Sequence, residues 1–462
     1  MKTAVVILAA GKGTRMKSNK PKVLHEVAGV PMLFHIIEAV ESLTPNEIIV
    51  VTGHGGETVN EAIAANYENV KCVTQEEQLG TGHAVAQAQT ALKGFDGNIV
   101  ILYGDVPLIS VDTLSQLNLS HQSQENDITV MTAFADDPTG LGRIVRDAND
   151  DISAIVEQKN ATDAQKKIDE INTGIYVVKA PLVFDLINNV SADSITAEYY
   201  LTSIVALGLN AGHTVGTYTA EDAEALSGIN SRLQLACAED HFQNIKREAF
   251  MAEGVTMTDP QSVFFSLDTK IGKDVEIGPN VQFGPNVRVE SDVRIEGQCT
   301  MSDTYINSGA NILSFCHFED AEIGEDATVG PFCRLRPNAQ LEKGSKAGSF
   351  VEIKKSVVGE GSKVPHLTYV GDVQIGKGVN IGGGTIFANY DSVAKVKSQT
   401  VIADGASIGA GNVIIAPVTI GKESCTGANA TITKDVPAGA LSFSKPEAII
   451  KKGYTAKHKA DK

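Results

Sequence analysis

Tryptophan is absent from the 462 residues, and all aromatics together make up only 5%. Cations are in the minority: 39 Lys and Arg face 56 Asp and Glu, a formal net charge of -17. That deficit argues against DNA or RNA as the main partner, because phosphate backbones recruit an excess of Lys and Arg. It leaves room for a small anionic substrate, which needs only a local cluster. Cys72, Cys237, Cys299, Cys316, Cys333 and Cys425 show neither C-x-x-C pairing nor His partners at metal-site spacing. Six scattered cysteines in a chain this long read as reduced thiols of a cytoplasmic protein. No stretch approaches the roughly 20 apolar residues of a membrane span. The first apolar run ends at Gly11-Lys12-Gly13-Thr14-Arg15 without a cleavage-like region, so it does not read as a signal peptide. The hydrophobic fraction of 42% and charged fraction of 21% are those of a soluble globular protein. Its length predicts two or three domains. One residue type is over-supplied: there are 43 glycines, 25 of them after residue 250.

The two halves follow different rules. Up to about residue 228, continuously apolar strand candidates (4–9, 48–52, 99–103, 128–134, 173–178) alternate with helical periodicity at 32–42, 83–93, 111–118 and 198–209. This pattern predicts a doubly wound, mostly parallel α/β sheet covered on both faces, with its ligand beyond the C-terminal strand ends. Residues 229–252 carry apolar side chains at helical intervals and read as a linking helix. From about 263 onward the period becomes six: Ile271, Ile277, Phe283, Val289 and Ile295, then Ile312 and Phe318. After a one-residue slip it continues through Ile323, Val329, Leu335, Leu341, Ala347 and Ile353. It returns at Ile375, Ile381 and Phe387, and again from Ile402 to Ile432. A chain that turns every six residues and points one aliphatic inward per side makes a parallel β-helix, about nine coils of about 18 residues. Glycine after the inward residue suits a tight corner. Cys299, Cys316 and Cys333 share the phase of Val275, Val281, Val287 and Val293, so they read as core packing.

Two places carry chemistry. Leu8 to Met16 leaves the first strand in a Gly-rich turn beside Lys12, Arg15 and Lys22; it fits neither a dinucleotide fingerprint nor a Walker motif, but can cradle phosphates. Asp105, at the end of Ile101-Leu102-Tyr103-Gly104-Asp105, could hold Mg²⁺ against nucleotide phosphates, or merely cap a helix. Gln75 and Leu79-Gly80-Thr81-Gly82-His83 form a second turn able to read a base edge. In the solenoid, His366 interrupts the six-residue rhythm and is the best general-base candidate of the ten His. Arg336 with Lys354 makes a cationic pocket of the kind a sugar phosphate needs.

On these runs, with Tyr103-Gly104-Asp105-Val106-Pro107-Leu108 and Glu170-Ile171-Asn172-Thr173-Gly174, the chain resembles a bacterial family. These are the bifunctional N-acetylglucosamine-1-phosphate uridyltransferases and glucosamine-1-phosphate N-acetyltransferases. The resemblance covers nearly the whole chain. It implies a uridyltransferase domain over 1–228, a linker helix over 229–252, and a left-handed β-helix of hexapeptide repeats over 253–462. Leu8, Ala9, Gly11, Lys22, Gln75, Gly80 and Thr81 would contact UTP; Tyr103, Gly140, Glu157 and Asn172 would hold N-acetylglucosamine-1-phosphate. Asp105 and Asn230 would bind Mg²⁺, with Arg15 and Lys22 as phosphate clamps. His366 would deprotonate the 2-amino group of glucosamine-1-phosphate, oriented by Glu352. Arg336, Lys354, Tyr369, Asn380, Asn389 and Lys395 would hold that sugar phosphate. Acetyl-CoA would lie along Gly383, Tyr390, Ala410, Ala428 and Lys445. The family pattern differs at Gly383 (usually Ala), Ser392 (Gly), Gly409-Ala410 (Gly-Ser) and Lys445 (Arg), all on the coenzyme side. The resemblance further implies a homotrimer built through the β-helix, with no nucleic-acid or membrane partner.

Overall fold

The structure is a computed structural model that describes residues 2–194, 196–444 and 449–453. Lys445 and the tail lysines Lys457, Lys459 and Lys462 lie outside the described residues. The chain divides into two compact units, 1–244 and 245–462. The dividing point falls inside a long helix, Arg232–Ala252.

In the first unit, Thr3–Ala9 is central. It pairs in parallel with Asn98–Tyr103 on one side and Glu47–Thr52 on the other, and Val70–Thr74 extends the latter flank. On the opposite flank Glu170–Lys179 runs antiparallel to both Asn98–Tyr103 and Ile128–Phe134. Val215–Ala220 closes that edge in parallel with Ile128–Phe134. Successive residues of each strand alternate between two cores. Val6, Leu8, Ile99 and Ile101 enter one; Val5, Ile7, Val100 and Leu102 enter the other. Burial on both faces is why these strands read as unbroken apolar runs.

The helix read over 111–118 extends to Ser123 and that read over 229–252 begins at Arg232, and three further elements near the strand ends also differ from the periodicity reading. The helix expected over 83–93 is limited to Thr81–Ala86 and gives way to turns. The helix expected from 198 begins at Ser203, because the preceding backbone is engaged elsewhere. Tyr199 N–H donates to Leu79 O at 2.8 Å, Gly82 N–H to Tyr199 O at 2.7 Å, and Leu201 N–H to Thr81 Oγ1 at 2.9 Å. The strand expected at 173–178 spans Glu170–Lys179, and its register breaks between Asn172 and Tyr176.

The second unit is a parallel β-helix of strands mostly two or three residues long. Along one side Glu276 pairs with Arg294, Arg294 with Asn311, and Asn311 with Thr328. The series continues through Lys346, Lys363 and Asn380, then jumps to Ser407. The long step accommodates an antiparallel hairpin, Tyr390–Asp391 with Val396–Lys397. The six-spaced aliphatics line a continuous core, together with Cys299, Cys316 and Cys333. Burial pushes the Cys333 thiol up, as expected of an inert packing thiol.

Glycine's role at the corners is not the one its spacing suggested. Gly272, Gly278 and Gly284 do not use the left-handed region; Asp274, Asn280, Asn286 and Asp292 do, with φ between 55° and 61°. At Gly278 a Cβ would collide with the carbonyl of Glu296 in the next coil. Glycine there serves close coil-on-coil approach, and short polar side chains make the turns.

Candidate functional sites

In the first unit the turn after the central strand brings together groups far apart in sequence. Lys22 Nζ donates to Asp105 Oδ2 at 2.5 Å and to Asn230 Oδ1 at 3.0 Å. The side chains of Lys22 and Asp105 are each 12% exposed, so this ion pair is largely shielded from water. Asp105 is anchored by its backbone, whose carbonyl accepts from Ile229 N–H at 2.9 Å. Asn230 is not the helix cap that its position allows. Ser231 Oγ accepts from Gln234 N–H at 3.2 Å, leaving the Asn230 amide to donate to Gly228 O at 3.1 Å and face Lys22 with its oxygen.

Two hard oxygen donors thus converge on one cation, the Lys22 ammonium. Among the described residues no group of three His, Cys, Asp or Glu is placed to hold a metal ion. Two protein oxygens are what Mg²⁺ takes at nucleotide sites, where phosphates and water fill the remaining positions. The donor set fits Mg²⁺.

The second turn is equally specific. Gln75 is buried, and its Nε2 donates to Gly80 O at 3.1 Å and meets His83 Nδ1 at 3.0 Å. Both amide hydrogens are used, so Oε1 is the atom left for a ligand.

Tyr103, Glu157 and Asn172 gather at the ends of neighbouring strands. A Cβ on Gly174 would lie 2.5 Å from Cε2 of Tyr103, and one on Gly142 would lie 3.6 Å from Cβ of Asn172 and 3.7 Å from Oε2 of Glu157. Thr202 Oγ1 donates to Glu157 Oε1 at 3.1 Å. Burial raises the Glu157 carboxyl above its ordinary value, and burial likewise raises the Tyr103 phenol. Tyr176, fully buried, donates its O–H to Asn172 Oδ1 at 3.0 Å. Sequence reasoning missed Tyr176 and Thr202. A tyrosine inside an apolar strand reads as core, and Thr202 has no spacing that ties it to Glu157. Arg15 is exposed on a 3₁₀ turn, Thr14–Met16, and Gly140 is in an exposed turn; neither contacts these groups.

In the β-helix, His366 ends the strand Lys363–His366 and is exposed. Arg336 Nη1 donates to Glu352 Oε1 at 2.8 Å. Glu352 pairs in register with Arg334 on one side and Tyr369 on the other, and Arg336 follows directly after the strand Arg334–Leu335. Glu352 is therefore engaged by Arg336, and no hydrogen bond joins it to His366 within the single chain. Asn389 Nδ2 donates to Asp372 Oδ2 at 2.6 Å, and a Cβ on Gly371 would meet both the Tyr369 hydroxyl and this amide.

The residues expected on the coenzyme side share one corner in successive coils. Gly384 N–H donates to His366 O, Gly411 N–H to Gly383 O, and Asn429 N–H to Ala410 O. His366, Gly383, Ala410 and Ala428 thus form a track of small residues leading away from the imidazole. On the other side of His366 the same corner is bulky: Phe315, Phe332, Phe350 and Leu367. The three rings stack at 4.8 and 5.0 Å.

Comparison with known proteins covers both units. Residues 5–171 match the MobA-like NTP transferase domain, and residues 268–303 and 399–434 match the bacterial transferase hexapeptide (six repeats). The bifunctional protein GlmU of Alcanivorax borkumensis is 46% identical over 97% of this chain and 97% of its own. That of Heliobacterium modesticaldum is 44% identical over 99% of both, and that of Acinetobacter baylyi 43% over the full length of both. A nucleotidyltransferase sheet and a left-handed hexapeptide β-helix in one chain, matched end to end, make this protein a member of the GlmU family of bifunctional proteins.

Proposed function

We propose how the residues of this bifunctional transferase divide its two reactions. The enzyme acetylates glucosamine-1-phosphate with acetyl-CoA in its β-helix, then transfers UMP from UTP to N-acetylglucosamine-1-phosphate in its first unit. UDP-N-acetylglucosamine and pyrophosphate are the products. The observation that carries the assignment is the convergence of Lys22, Asp105 and Asn230, drawn from three distant segments onto one point.

In uridyl transfer a phosphate oxygen of the sugar attacks the α-phosphorus of UTP in line, and pyrophosphate leaves. No protein nucleophile is required, so this chain's work is positioning and charge stabilisation. Leu8, Ala9 and Gly11 line the phosphate turn; Gln75 presents Oε1 to the uracil edge beside Gly80 and Thr81. Tyr103, Gly140, Glu157 and Asn172 hold the sugar. Lys22 and Arg15 clamp phosphates. Asp105 and Asn230 would hold Mg²⁺, which when bound neutralises charge on the phosphate oxygens.

In acetyl transfer the His366 imidazole takes a proton from the 2-amino group. The freed amine attacks the thioester carbonyl, and the CoA thiolate leaves. Arg336, Lys354, Tyr369, Asn380, Asn389 and Lys395 bind the sugar phosphate. Gly383, Tyr390, Ala410 and Ala428 accommodate the coenzyme, the small track giving its chain room to lie along the corner. Lys445, outside the described residues, would offer the coenzyme a point charge where the family usually has Arg. Glu352 acts through Arg336, fixing the guanidinium against the phosphate. Three chains assemble through their β-helices.

Asp105→Ala should abolish uridyl transfer and spare acetylation, while His366→Ala does the reverse. Pyrophosphate release and free-thiol release on the same preparations check this. Loss of both activities in either folded variant overturns the division.

A further inference from the structure

Asn172 is an amide whose orientation is already decided. Its Oδ1 accepts from Gly174 N–H at 3.0 Å and from Tyr176 O–H at 3.0 Å. A carbonyl oxygen has two lone pairs, so Oδ1 is filled. The structure shows no protein partner for Nδ2 among the described residues, and the residue remains partly exposed. Tyr176 is completely buried, and burial drives its phenol well above the ordinary tyrosine value; with the Gly174 N–H holding Oδ1 on this side, the hydroxyl meets an acceptor and donates to it.

The backbone is bent to make this contact. Residues four apart in a regular strand stand about 13 Å apart, beyond the reach of a hydroxyl to its neighbour's amide. Between Asn172 and Tyr176 the ladder with Ile128–Phe134 loses register. Thr173 Oγ1 donates to Met131 O at 2.8 Å, and Gly174 takes φ 83°. This bulge shortens the strand and aims both Asn172 and Tyr176 at one point, as bulges beside active sites do.

We propose that Tyr176 is a positioning residue that sets the hydrogen-bond polarity of the sugar subsite. By occupying Oδ1 of Asn172 it leaves only N–H groups facing the substrate, so this position selects an acceptor oxygen of the hexosamine. The inference rests on the assignment of Asn172 to the sugar. Without the phenol hydroxyl the amide keeps only the Gly174 N–H bond, so it is held at one point instead of two and can tilt off the acceptor, losing about one hydrogen bond of binding.

The test is steady-state uridyl transfer by full-length protein carrying Tyr176→Phe, Asn172→Ala, or both. Tyr176→Phe should raise KM for N-acetylglucosamine-1-phosphate about 5–10-fold, leave kcat within about twofold, and leave KM for UTP unchanged. In the Asn172→Ala background the same substitution should have no further effect, because its influence passes through that amide. An unchanged sugar KM in Tyr176→Phe overturns the proposal, as does an equal increase in the Asn172→Ala background or a parallel rise in KM for UTP. If Asn172→Ala alone leaves the sugar KM unchanged, the assignment of Asn172 itself fails, an outcome separate from failure of Tyr176.

Discussion

Four amides at the candidate sites are oriented by protein hydrogen bonds, and that orientation sets what each can offer a ligand. Gln75 spends its hydrogens on Gly80 O and His83, leaving an acceptor. Asn172 spends its oxygen, leaving donors. Asn389 gives a hydrogen to Asp372 at 2.6 Å. Asn230 gives one to Gly228 O and turns its oxygen to Lys22. This last contact has a consequence for metal binding. The Lys22 ammonium rests on the same two oxygens that would hold Mg²⁺, so a divalent ion arriving alone must displace it against like-charge repulsion. When nucleotide is present, its phosphates offer the ammonium another place. Metal and nucleotide should therefore bind with positive coupling, each favouring the arrangement the other needs. Lys22→Gln removes the competing charge: with no nucleotide present, it should tighten Mn²⁺ binding about tenfold, measured as loss of the free-ion electron paramagnetic resonance signal. In the same variant the coupling between UTP and Mn²⁺ should fall. Unchanged or weaker Mn²⁺ binding would refute the exchange.

Among the elements, legibility in the sequence follows the regularity of the backbone. The six-residue period showed the β-helix directly, because each coil repeats one packing problem: Ile277, Ile295, Ile312 and Val329 pair in register one above another. The same logic identified Cys299, Cys316 and Cys333 as core. Alternating burial made the central strands equally plain. What stayed hidden depends on one-off geometry. The shortened helix Thr81–Ala86 reflects backbone bonds to residues 199–201, distant in sequence and without a local signal. Lys22 and Asp105 were legible as a cation beside a phosphate turn and a strand-end carboxylate, but Asn230, and its meeting with them, had no local signal because no spacing relates the three. The antiparallel strand Glu170–Lys179 reads like its parallel neighbours because it is buried on both faces too. Its bulge is written only in Thr173-Gly174, and there glycine has two reasons. At φ 83° an L side chain is strained, and a Cβ would press 2.5 Å from the Tyr103 ring. Gly174→Ala should destabilise the first unit by about 1–3 kcal/mol and raise the sugar KM more than tenfold, with acetyl transfer intact. Thermal unfolding together with both activity assays checks this, and an unperturbed sugar KM would show the bulge to be dispensable.

For the molecule as a whole, the charge of -17 and the paucity of aromatics acquire meaning from where the exceptions lie. The cations proposed for the substrate phosphates are few and local, Lys22 in one unit and Arg336 with Lys354 in the other, so global acidity would not oppose binding there. The few phenylalanines are not all spent on the core. Phe315, Phe332 and Phe350 stand 51%, 46% and 58% exposed, stacked in a column that Leu367 continues at 62%. Large aromatics in an otherwise polar surface mark an interaction face, since leaving them in water forgoes the burial of apolar area. The column ends beside His366, on the corner where the small coenzyme-side residues begin. Assembly of three chains along this column would shield the acetyl-transfer site from water on one flank, and it would make that activity depend on assembly while uridyl transfer did not. Phe332→Glu combined with Phe350→Glu places two carboxylates at the centre of the column, where burial against another chain would cost several kcal/mol per charge. Light scattering after gel filtration should then give the monomer mass. Acetyl transfer should fall at least about tenfold and uridyl transfer should stay within about twofold of wild type. A variant that keeps the oligomeric mass would move the interface to another side of the coil.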